Sequence, residues 1–334
     1  MRLRRSDVSG RGLTRRRHGR GFRYVDQDGG PVGDADRARI KALVIPPAWR
    51  EVWICPWPNG HIQAVGVDDA GRRQYLYHEQ WRRQRDEQKY DRVLDLAPRL
   101  PDFRKQVAAD LASRGYARRR VLAVALRMLD NGVFRTGGDE YVEQNGTYGV
   151  ATLLCDHVRV RGDRVSFDYQ AKGGAHRSLA LSDPLLAKAV AGLARRGAAA
   201  GRLLVCRDRT GSCAIHADDV NERFRELVGP EFSVKDLRTW TATVLAATIL
   251  AGTGVPGSKR GRAGAVTRMY REVAEHLGNT PAVAKKSYVD PRLVELYNQS
   301  GTTVDRRLGA AELSQADARE RVERATHELL STDG

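Results

Sequence analysis

Cysteine and long apolar runs are scarce in this sequence, and both absences narrow its possible functions. The four cysteines are scattered, with none in a C-x-x-C pair: Cys55, Cys155, Cys206 and Cys213. They match neither a zinc site nor a disulfide framework, so we expect small, mostly buried thiols in a reducing cytoplasm. The best candidate for a membrane span, residues 244–250, is far shorter than the roughly 18 apolar residues that a membrane helix needs. No apolar segment follows the basic amino terminus, and we expect neither a secretory signal nor a membrane protein.

Several common catalytic motifs are also missing. The phosphate-binding patterns G-x-x-x-x-G-K-[ST] and strand-bound G-x-G-x-x-G do not occur. The eight histidines show neither H-E-x-x-H nor a paired metal spacing, and G-x-S-x-G is absent. ATP hydrolysis, zinc catalysis and the commonest serine hydrolase chemistry therefore have no support, and we expect no metal or other cofactor.

Positive charge, in contrast, is abundant. The chain of 334 residues carries 57 lysines and arginines against 41 acidic residues, a formal net charge of +16. Such an excess favours a nucleic acid or an anionic membrane surface as the partner. Arginine greatly outnumbers lysine, which suits phosphate because the planar guanidinium makes two parallel hydrogen bonds, although a GC-rich genome explains the same ratio.

The composition divides the chain into three parts. Residues 1–20 hold eight arginines and one acidic residue without apolar periodicity, which predicts a flexible basic arm along DNA phosphates or a solvated tail without a role. Residues 21–88 alternate short β-prone segments with turns and predict a small, mostly antiparallel domain with one helix at 34–44. Residues 89–334 carry apolar residues at three- and four-residue spacing and predict a mainly helical domain.

Strands interrupt the predicted helical part. They are expected at 152–154, 158–161, 164–170 and 178–181, with hairpin turns at Gly162-Asp163 and Gly173-Gly174. The last helix, at 310–330, carries alternating charges and is interpreted as a solvated local helix. The predicted fold class is α+β, with a β-rich amino-terminal domain followed by a mainly α-helical catalytic domain.

Five separated polar residues of the helical part stand in contexts that suggest order: Arg135, Lys172, Arg238, Asn279 and Tyr288. Each has an ordinary structural explanation by itself, such as a helix cap or ion pair for arginine, a turn for asparagine and a half-buried ring for tyrosine. The residues alone therefore predict a DNA-binding protein whose site is undefined.

Four longer stretches carry more information than any single residue. They are IPPAWREVWICPWPNGHIQAVGVDDAGRRQYLYH at 45–78, FRTGGDEYVEQNGTYGVATLLCDHV at 134–158, VKDLRTW at 234–240 and LGNTPAVAKKSYVDP at 277–291. In these stretches, and in their order, the chain resembles type IB DNA topoisomerases of the bacterial and poxvirus kind. The resemblance extends from about residue 21 to residue 297.

The resemblance implies an enzyme whose tyrosine, here Tyr288, attacks a DNA phosphodiester, forms a 3′-phosphotyrosyl bond and frees a 5′-hydroxyl. Arg135 and Arg238 match the two catalytic arginines of the family, which stabilise the pentacoordinate transition state. Lys172, at the tip of the predicted hairpin, matches the general acid that protonates the leaving oxygen. Because the covalent bond conserves the phosphodiester energy, the resemblance implies relaxation of positive and negative supercoils without ATP or metal.

The third phosphate-binding position differs between branches of the family. Poxvirus and eukaryotic members have histidine where this chain has Asn279. Asparagine donates a hydrogen bond to a phosphate oxygen but carries neither a positive charge nor a transferable proton. We assign Asn279 to oxyanion binding only, with His276 as the alternative.

Further residues match positions that contact DNA in the family: Gln74, Tyr75, Tyr77 and Tyr141. Alternation along a strand places Tyr75 and Tyr77 on one face and Gln74 on the other. A glutamine reads adenine in the major groove, and tyrosines contact phosphate or stack on bases.

The resemblance also implies a monomer whose two domains close as a clamp around double-stranded DNA, in the cytoplasm at the nucleoid. The alternative enzyme is a tyrosine recombinase, which shares the fold and the arginine–tyrosine chemistry. Recombinases usually have histidine where this chain has Lys235, and they need a helix that docks into a neighbouring protomer, for which 310–330 is the candidate. The non-catalytic alternative is an architectural DNA-binding protein that has kept the fold.

Overall fold

The structure of the protein is a computed structural model. It describes residues 2–197, 201–208, 211–301 and 303–331, without the side chains of Tyr141 and Asp208. The chain forms two compact units that divide between Lys89 and Tyr90, and the dividing point falls within a helix. Each unit has its own hydrophobic core.

Five short strands and one helix build the first unit. Its elements are β1 Leu13–His18, β2 Gly21–Val25, α1 Asp34–Ala42, β3 Arg50–Ile54, β4 Ile62–Val67 and β5 Arg73–Tyr77. The strands pair antiparallel in the order β2-β1-β3-β4-β5. Ile40 of α1 packs with Leu13, Ile54 and Ala64 in the core of this unit. The prediction of a β-rich amino-terminal part is confirmed.

The prediction of a flexible arm over residues 1–20 is wrong. Leu13–His18 forms β1, an inner strand of the sheet that pairs with both β2 and β3. Further upstream, the Ser6 amide donates to Nδ1 of His61 at 2.8 Å. Arginines occupy successive positions of β1, so the apolar alternation that marks a half-buried strand is missing from the sequence.

Apolar residues at helical spacing build most of the second unit. Its helices are α2 Glu79–Leu96, which begins in the first unit, α3 Leu100–Ala112, α4 Arg118–Asp130, α5 Asp139–Asn145, α6 Pro184–Gly197, α7 Ala217–Val228, α8 Val234–Thr253, α9 Lys259–Leu277, α10 Pro281–Ser287, α11 Pro291–Gln299 and α12 Ala316–Ser331. A second antiparallel sheet consists of β6 Val158–Arg161, β7 Arg164–Ala171 and β8 Ala175–Ser182, in that order. Its two turns follow Arg161 and Ala171, where hairpin turns are predicted. The expected α+β class, with a mainly helical second part, is confirmed.

Helix α8 forms the centre of the second core. Most of its own side chains are buried, on every face of the helix, and Leu237, Trp240 and Leu250 have no exposed surface. Its buried threonines donate their hydroxyls to carbonyls one turn back, as Thr241 does to Leu237 at 3.1 Å. In the described ranges, no helix has both the length and the apolar character that crossing a membrane demands.

One local prediction in the second unit is wrong, and one hairpin was missed. A 3-10 turn at Val150–Thr152 replaces the strand predicted at 152–154, and a hairpin of β9 Val205–Asp208 and β10 Gly211–Ala214 was not predicted. Cys206 and Cys213 face each other in this hairpin, with Cα atoms 5.1 Å apart, and form a disulfide. The expectation of unpaired thiols therefore fails for this pair, because antiparallel register rather than a sequence motif brings the two cysteines together. The expectation holds for the buried Cys55 and the half-buried Cys155, which are free.

Helix α12 belongs to the core and is not the solvated helix that its charges suggest. Its side chains Ala318, Val322 and Leu330 are buried, and so is Glu323. The apolar residues follow helical spacing, and the intervening charges conceal this pattern in the sequence.

A buried ionic network attaches α12 to α3 and α4. Arg104 of α3 binds Asp130 of α4 and Glu323 of α12, with N–O distances of 2.9 and 2.7 Å. Arg319 binds the same two carboxylates at 2.9 and 3.0 Å. Burial by itself would raise the pKa of Asp130, but the charges of Arg104 and Arg319 outweigh it and hold this pKa well below its ordinary value.

Asp130→Asn should destabilise the second unit by about 3–5 kcal/mol at neutral pH, because two buried guanidinium groups are left with one carboxylate. Folding lowers the pKa of Asp130, so its contribution is present above the unfolded pKa of about 3.9 and is lost as the pH falls. The difference between the wild type and the variant should therefore shrink below about pH 4. Urea unfolding followed by circular dichroism at several pH values measures it.

The control variant is Asp102→Asn, which removes the exposed partner of Lys105 on α3. Because this pair lies in water, the unfolding midpoint should stay nearly unchanged. Equal destabilisation by Asp102→Asn and Asp130→Asn would contradict the role assigned to the buried network.

Candidate active site

The carboxyl-terminal end of α9 is the place where the candidate residues meet. The last carbonyls of a helix have no partner within it and carry the negative end of the helix dipole. Helix α9 ends at Leu277, and Gly278 follows in the left-handed conformation at φ 63°. A Cβ atom on Gly278 would lie 2.9 Å from the guanidinium of Arg177, so conformation and space both favour glycine here.

Three arginines from three different elements cap these carbonyls. Arg177 of β8 donates to Glu275 and His276 at 3.2 and 3.0 Å, Arg238 of α8 donates to Leu277, and Arg135 of the loop after α4 donates to Gly278 at 3.2 Å. Four successive carbonyls therefore hold three positive side chains that repel one another. Within the described part of the chain, neither Arg135 nor Arg238 forms an ion pair with a carboxylate. Their positive charge thus remains available to an anion.

Arg238 is the most buried of the three arginines, with 5% of its surface exposed. Besides its bond at the end of α9, it donates to the carbonyls of Gly132 and Phe134 at 2.6 and 2.7 Å. These two carbonyls belong to the loop that carries Arg135, so Arg238 fixes that loop against α9. Burial and the charge of Arg135 lower the pKa of Arg238 to about 10, and Tyr288 partly offsets this effect. The guanidinium therefore stays charged at neutral pH in a poorly solvated site.

Tyr288 lies directly after α10 and is half-buried beside Arg238. Its ring centroid is 5.4 Å from the guanidinium carbon of Arg238. The backbone is held on both sides: the amide donates to Ala284 at 3.1 Å, and the carbonyl accepts from the Thr243 hydroxyl of α8 at 3.3 Å. Helix α8 therefore positions both the arginine and the phenol.

Asn279 is the fourth member of the group. Its side-chain Oδ1 accepts a hydrogen bond from Arg135, and its backbone amide donates to the carbonyl of Ala274 at 2.8 Å. Its Nδ2 is buried and has no hydrogen-bond partner among the described residues. A buried amide donor without a partner is costly, so a ligand oxygen would stabilise it. The alternative candidate His276 instead places its Nε2 3.2 Å from the carbonyl of Asn131.

Lys172 lies at the exposed tip of the hairpin between β7 and β8. The tip continues through Gly173 and Gly174, both at positive φ. Arg177 follows on β8 and ties this hairpin to the end of α9 through its two carbonyl bonds. The arrangement thus brings together Arg135, Arg238, Asn279 and Tyr288 directly and links Lys172 to them through its hairpin.

Arg177 is the site residue that the sequence did not reveal. It follows Lys172 by five positions, in a strand with equal numbers of polar and apolar residues. Its partners lie 98 and 99 positions further along the chain. The only feature of the sequence that could have pointed to Arg177 is its position, as a basic residue, on the same hairpin as Lys172. That position does not reveal its partners on α9.

The other candidate DNA contacts belong to other elements. Tyr75 and Tyr77 are on β5, an edge strand of the first sheet, with 38% and 39% of their surface exposed. Their rings stack with centroids 6.0 Å apart, which confirms that they share one face. Gln74 points to the other face and donates to Asp68 at 2.9 Å. Tyr141 belongs to α5 of the second unit, and its side chain lies outside the described part of the structure.

Taken together, the site presents fixed positive charge, one unpaired amide donor and an adjacent phenol. Such a set suits a phosphodiester, since guanidinium and amide donors bind its non-bridging oxygens while a phenol oxygen attacks phosphorus.

The chain is similar to known DNA topoisomerases over most of its length. The family model described as eukaryotic DNA topoisomerase I, catalytic core, matches residues 78–309, and that of the bacterial DNA topoisomerase IB N-terminal domain matches residues 21–68. DNA topoisomerase 1B of Acanthamoeba polyphaga mimivirus is 28% identical over 296 residues, which cover 86% of this chain and 88% of that protein. DNA topoisomerase I of monkeypox virus and DNA topoisomerase 1B of vaccinia virus (strain Copenhagen) are each 23% identical over 249 residues, covering 70% of this chain and 71% of each relative.

These matches cover both units, and the first family model alone spans more than half of the chain. The proteins of this family are isomerases that act on DNA. The chain therefore belongs to the type IB DNA topoisomerase family.

Proposed function

We propose that this protein nicks one strand of duplex DNA through a transient 3′-phosphotyrosyl bond at Tyr288 and relaxes supercoils of both signs. The observation that carries the proposal is the half-buried phenol of Tyr288 beside Arg238. Arg238 is held at the end of α9, where Arg135 and Asn279 also lie. The phenol loses its proton as its oxygen attacks phosphorus, the bond from phosphorus to the 5′-oxygen breaks, and that oxygen takes up a proton to become a hydroxyl. The free strand then rotates. Resealing reverses these steps, because the 5′-hydroxyl attacks phosphorus and Tyr288 leaves.

Charge stabilisation falls to side chains that are already in place. The pentacoordinate transition state carries extra negative charge on its non-bridging oxygens, where fixed donors in a poorly solvated site are most effective. Arg135 and Arg238 supply positive charge that no carboxylate neutralises among the described residues. The Nδ2 of Asn279 supplies one further donor. We propose that these groups make metal and ATP unnecessary, since the covalent intermediate conserves the energy of the phosphodiester bond.

Lys172 is proposed as the general acid that protonates the leaving 5′-oxygen, because an alkoxide is a poor leaving group. Its hairpin must hold the ammonium near that oxygen during the reaction. Arg177 is proposed as the positioning residue for this hairpin, since it connects β8 to the carbonyls of Glu275 and His276. It acts through Lys172 and not on the phosphate itself.

The proposed partner is double-stranded DNA, held by a monomer whose two units act as a clamp at the nucleoid in the cytoplasm. Stacked Tyr75 and Tyr77 offer an aromatic surface on the first unit, and the second unit carries the reactive group. A recombinase finds less support, because α12 buries Val322 and Leu330 within its own unit and is not a free docking helix.

Tyr288→Phe should abolish plasmid relaxation and the covalent adduct while leaving DNA affinity nearly unchanged, because only the attacking oxygen is removed. The measurements are relaxation in EDTA without ATP, a denaturing gel for protein on the 3′ end of DNA, and a binding titration. Tyr270→Phe, which removes a buried phenol of α9, is the control and should relax DNA normally. Normal relaxation by Tyr288→Phe would remove Tyr288 from its proposed role, and tight binding without relaxation by the wild type would favour an architectural protein.

Asn279→Asp should slow single-turnover cleavage by about 10²–10³-fold, the usual cost of losing one oxyanion donor. The substitution keeps the shape and the acceptor toward Arg135 but replaces the unpaired Nδ2 with a negatively charged oxygen. Asn298→Asp on the exposed surface of α11 makes the same charge change as a control and should cleave at the wild-type rate. Unchanged cleavage by Asn279→Asp would show that this amide does not face the phosphate.

Arg177→Ala should slow cleavage of ordinary DNA on the order of 10²-fold, since small displacements of a catalytic group cost that much. The defect should largely disappear on DNA with a 5′-bridging sulfur, because a thiolate leaves without a proton. Lys172→Ala should respond in the same way, and the double variant should be no slower than Lys172→Ala alone. Arg164→Ala, at the opposite end of the same hairpin, is the control. Equal slowing of Arg177→Ala on both substrates would mean that Arg177 supports the site only structurally.

A further inference from the structure

The hairpin of β1 and β2 extends beyond the sheet to which it belongs. Only Leu13 and Thr14 of β1 pair with β3, whereas residues 15–18 pair with β2 alone. Residues 15–24 thus form a two-stranded ribbon, which we call the basic ribbon, and no third strand of the described chain pairs with it. Two strands of this width fit the major groove of B-form DNA.

The base of the basic ribbon is firmly attached to the first unit. The indole of Trp53 donates to the carbonyl of Gly10 at 3.1 Å and packs so closely on Gly12 that a Cβ atom there would collide with it. Arg15 donates to the carbonyls of Pro46 and Trp49 at 3.1 and 2.5 Å. The ribbon is therefore held in a defined direction by these contacts, and Arg15 serves the fold.

The remaining arginines of the ribbon have no counter-charge among the described residues. Residues 12–25 contain five arginines and no acidic residue. Arg16 lies directly opposite Arg23 in the ladder, and both are exposed. Like charges in directly opposed positions destabilise a strand pair. Among the described residues, the ion pairs formed near this hairpin do not include any of its four exposed arginines, Arg16, Arg17, Arg20 and Arg23.

We propose that the basic ribbon binds the backbone of duplex DNA, with Arg16 and Arg23 on its phosphates. A phosphate between the two guanidinium groups removes the repulsion that the free protein retains. A lipid surface fits less well, because Phe22 is the one exposed large apolar side chain of the described ribbon, and the guanidinium of Arg15 stacks on its ring at 4.1 Å. The proposed phosphate contacts of the basic ribbon add to the proposed DNA contacts of Tyr75 and Tyr77, which lie on β5 at the opposite edge of the same sheet.

The proposal rests on the proposed function only for the identity of the ligand, so its test separates binding from cleavage. All binding is measured in the full chain carrying Tyr288→Phe, with a short DNA duplex at several salt concentrations. Replacing both Arg16 and Arg23 by glutamine should lower the slope of log K against log salt by about 1.8, about 0.9 for each lost phosphate contact. Affinity at about 0.1 M salt should fall on the order of tenfold. The melting temperature of the free variant should not fall, because the substitution removes a repulsion.

The matched control replaces Arg321 and Arg324, two exposed arginines of α12, by glutamine, with the same change in net charge. This control should keep the parent slope, and Arg16→Lys with Arg23→Lys should keep most of it.

The proposal is overturned by a parent-like slope in the glutamine ribbon variant, or by an equal loss in the α12 control, which would indicate bulk charge. Loss of binding to anionic phospholipid vesicles with unchanged DNA binding would overturn it in favour of a membrane partner. Failure of the wild type to relax plasmids would remove the proposed function and leave this result intact.

Discussion

Guanidinium groups on the carbonyl end of α9 hold the candidate site together. Three arginines at one place repel one another, and carboxylates would relieve that repulsion only by cancelling the charge that a phosphate needs. Backbone carbonyls and the negative end of the helix dipole hold Arg135, Arg177 and Arg238 without cancelling their charge. Placement before DNA arrives also lowers the cost of reorganisation in the transition state. Gly278 in the left-handed conformation and the side-chain Nδ2 of Asn279, which has no partner among the described residues, both follow from how this helix ends.

Helix α8 provides the rigidity that such an arrangement needs. Because α8 is buried on every face, the helix has little freedom to shift. It carries Arg238 near its amino-terminal end. One turn further on, Thr243 accepts the Asp290 amide and donates to the carbonyl of Tyr288. The proposed nucleophile and the most buried arginine are thus positioned by one packed helix. This arrangement explains why a phenol on an ordinary turn can be held at a fixed place beside a charge.

The large positive charge of the protein serves two different purposes. Some arginines are paired in the interior, as Arg104 and Arg319 are with Asp130 and Glu323, and they hold α12 in the core. Others have no carboxylate partner in the described ranges. They are held by backbone carbonyls or lie exposed on the basic ribbon, where an anion can reach them. Net charge alone does not separate these groups, because the distinction lies in which acidic residues the fold brings near each arginine.

The sequence by itself determined those features of the protein that local residue patterns encode. Helical apolar spacing predicted a mainly helical second part, strand alternation predicted the shared face of Tyr75 and Tyr77, and the four family stretches predicted the topoisomerase family. Only the tertiary structure decided which residues meet across long separations: Arg177 with the end of α9, Cys206 with Cys213, and α12 with the core. It also decided that residues 13–18 form an inner strand, since arginines concealed the alternation, and that Asn279 rather than His276 faces Arg135. The reason is physical: periodicity records which face of an element is buried, whereas the partner of a charged or polar side chain depends on packing between distant elements.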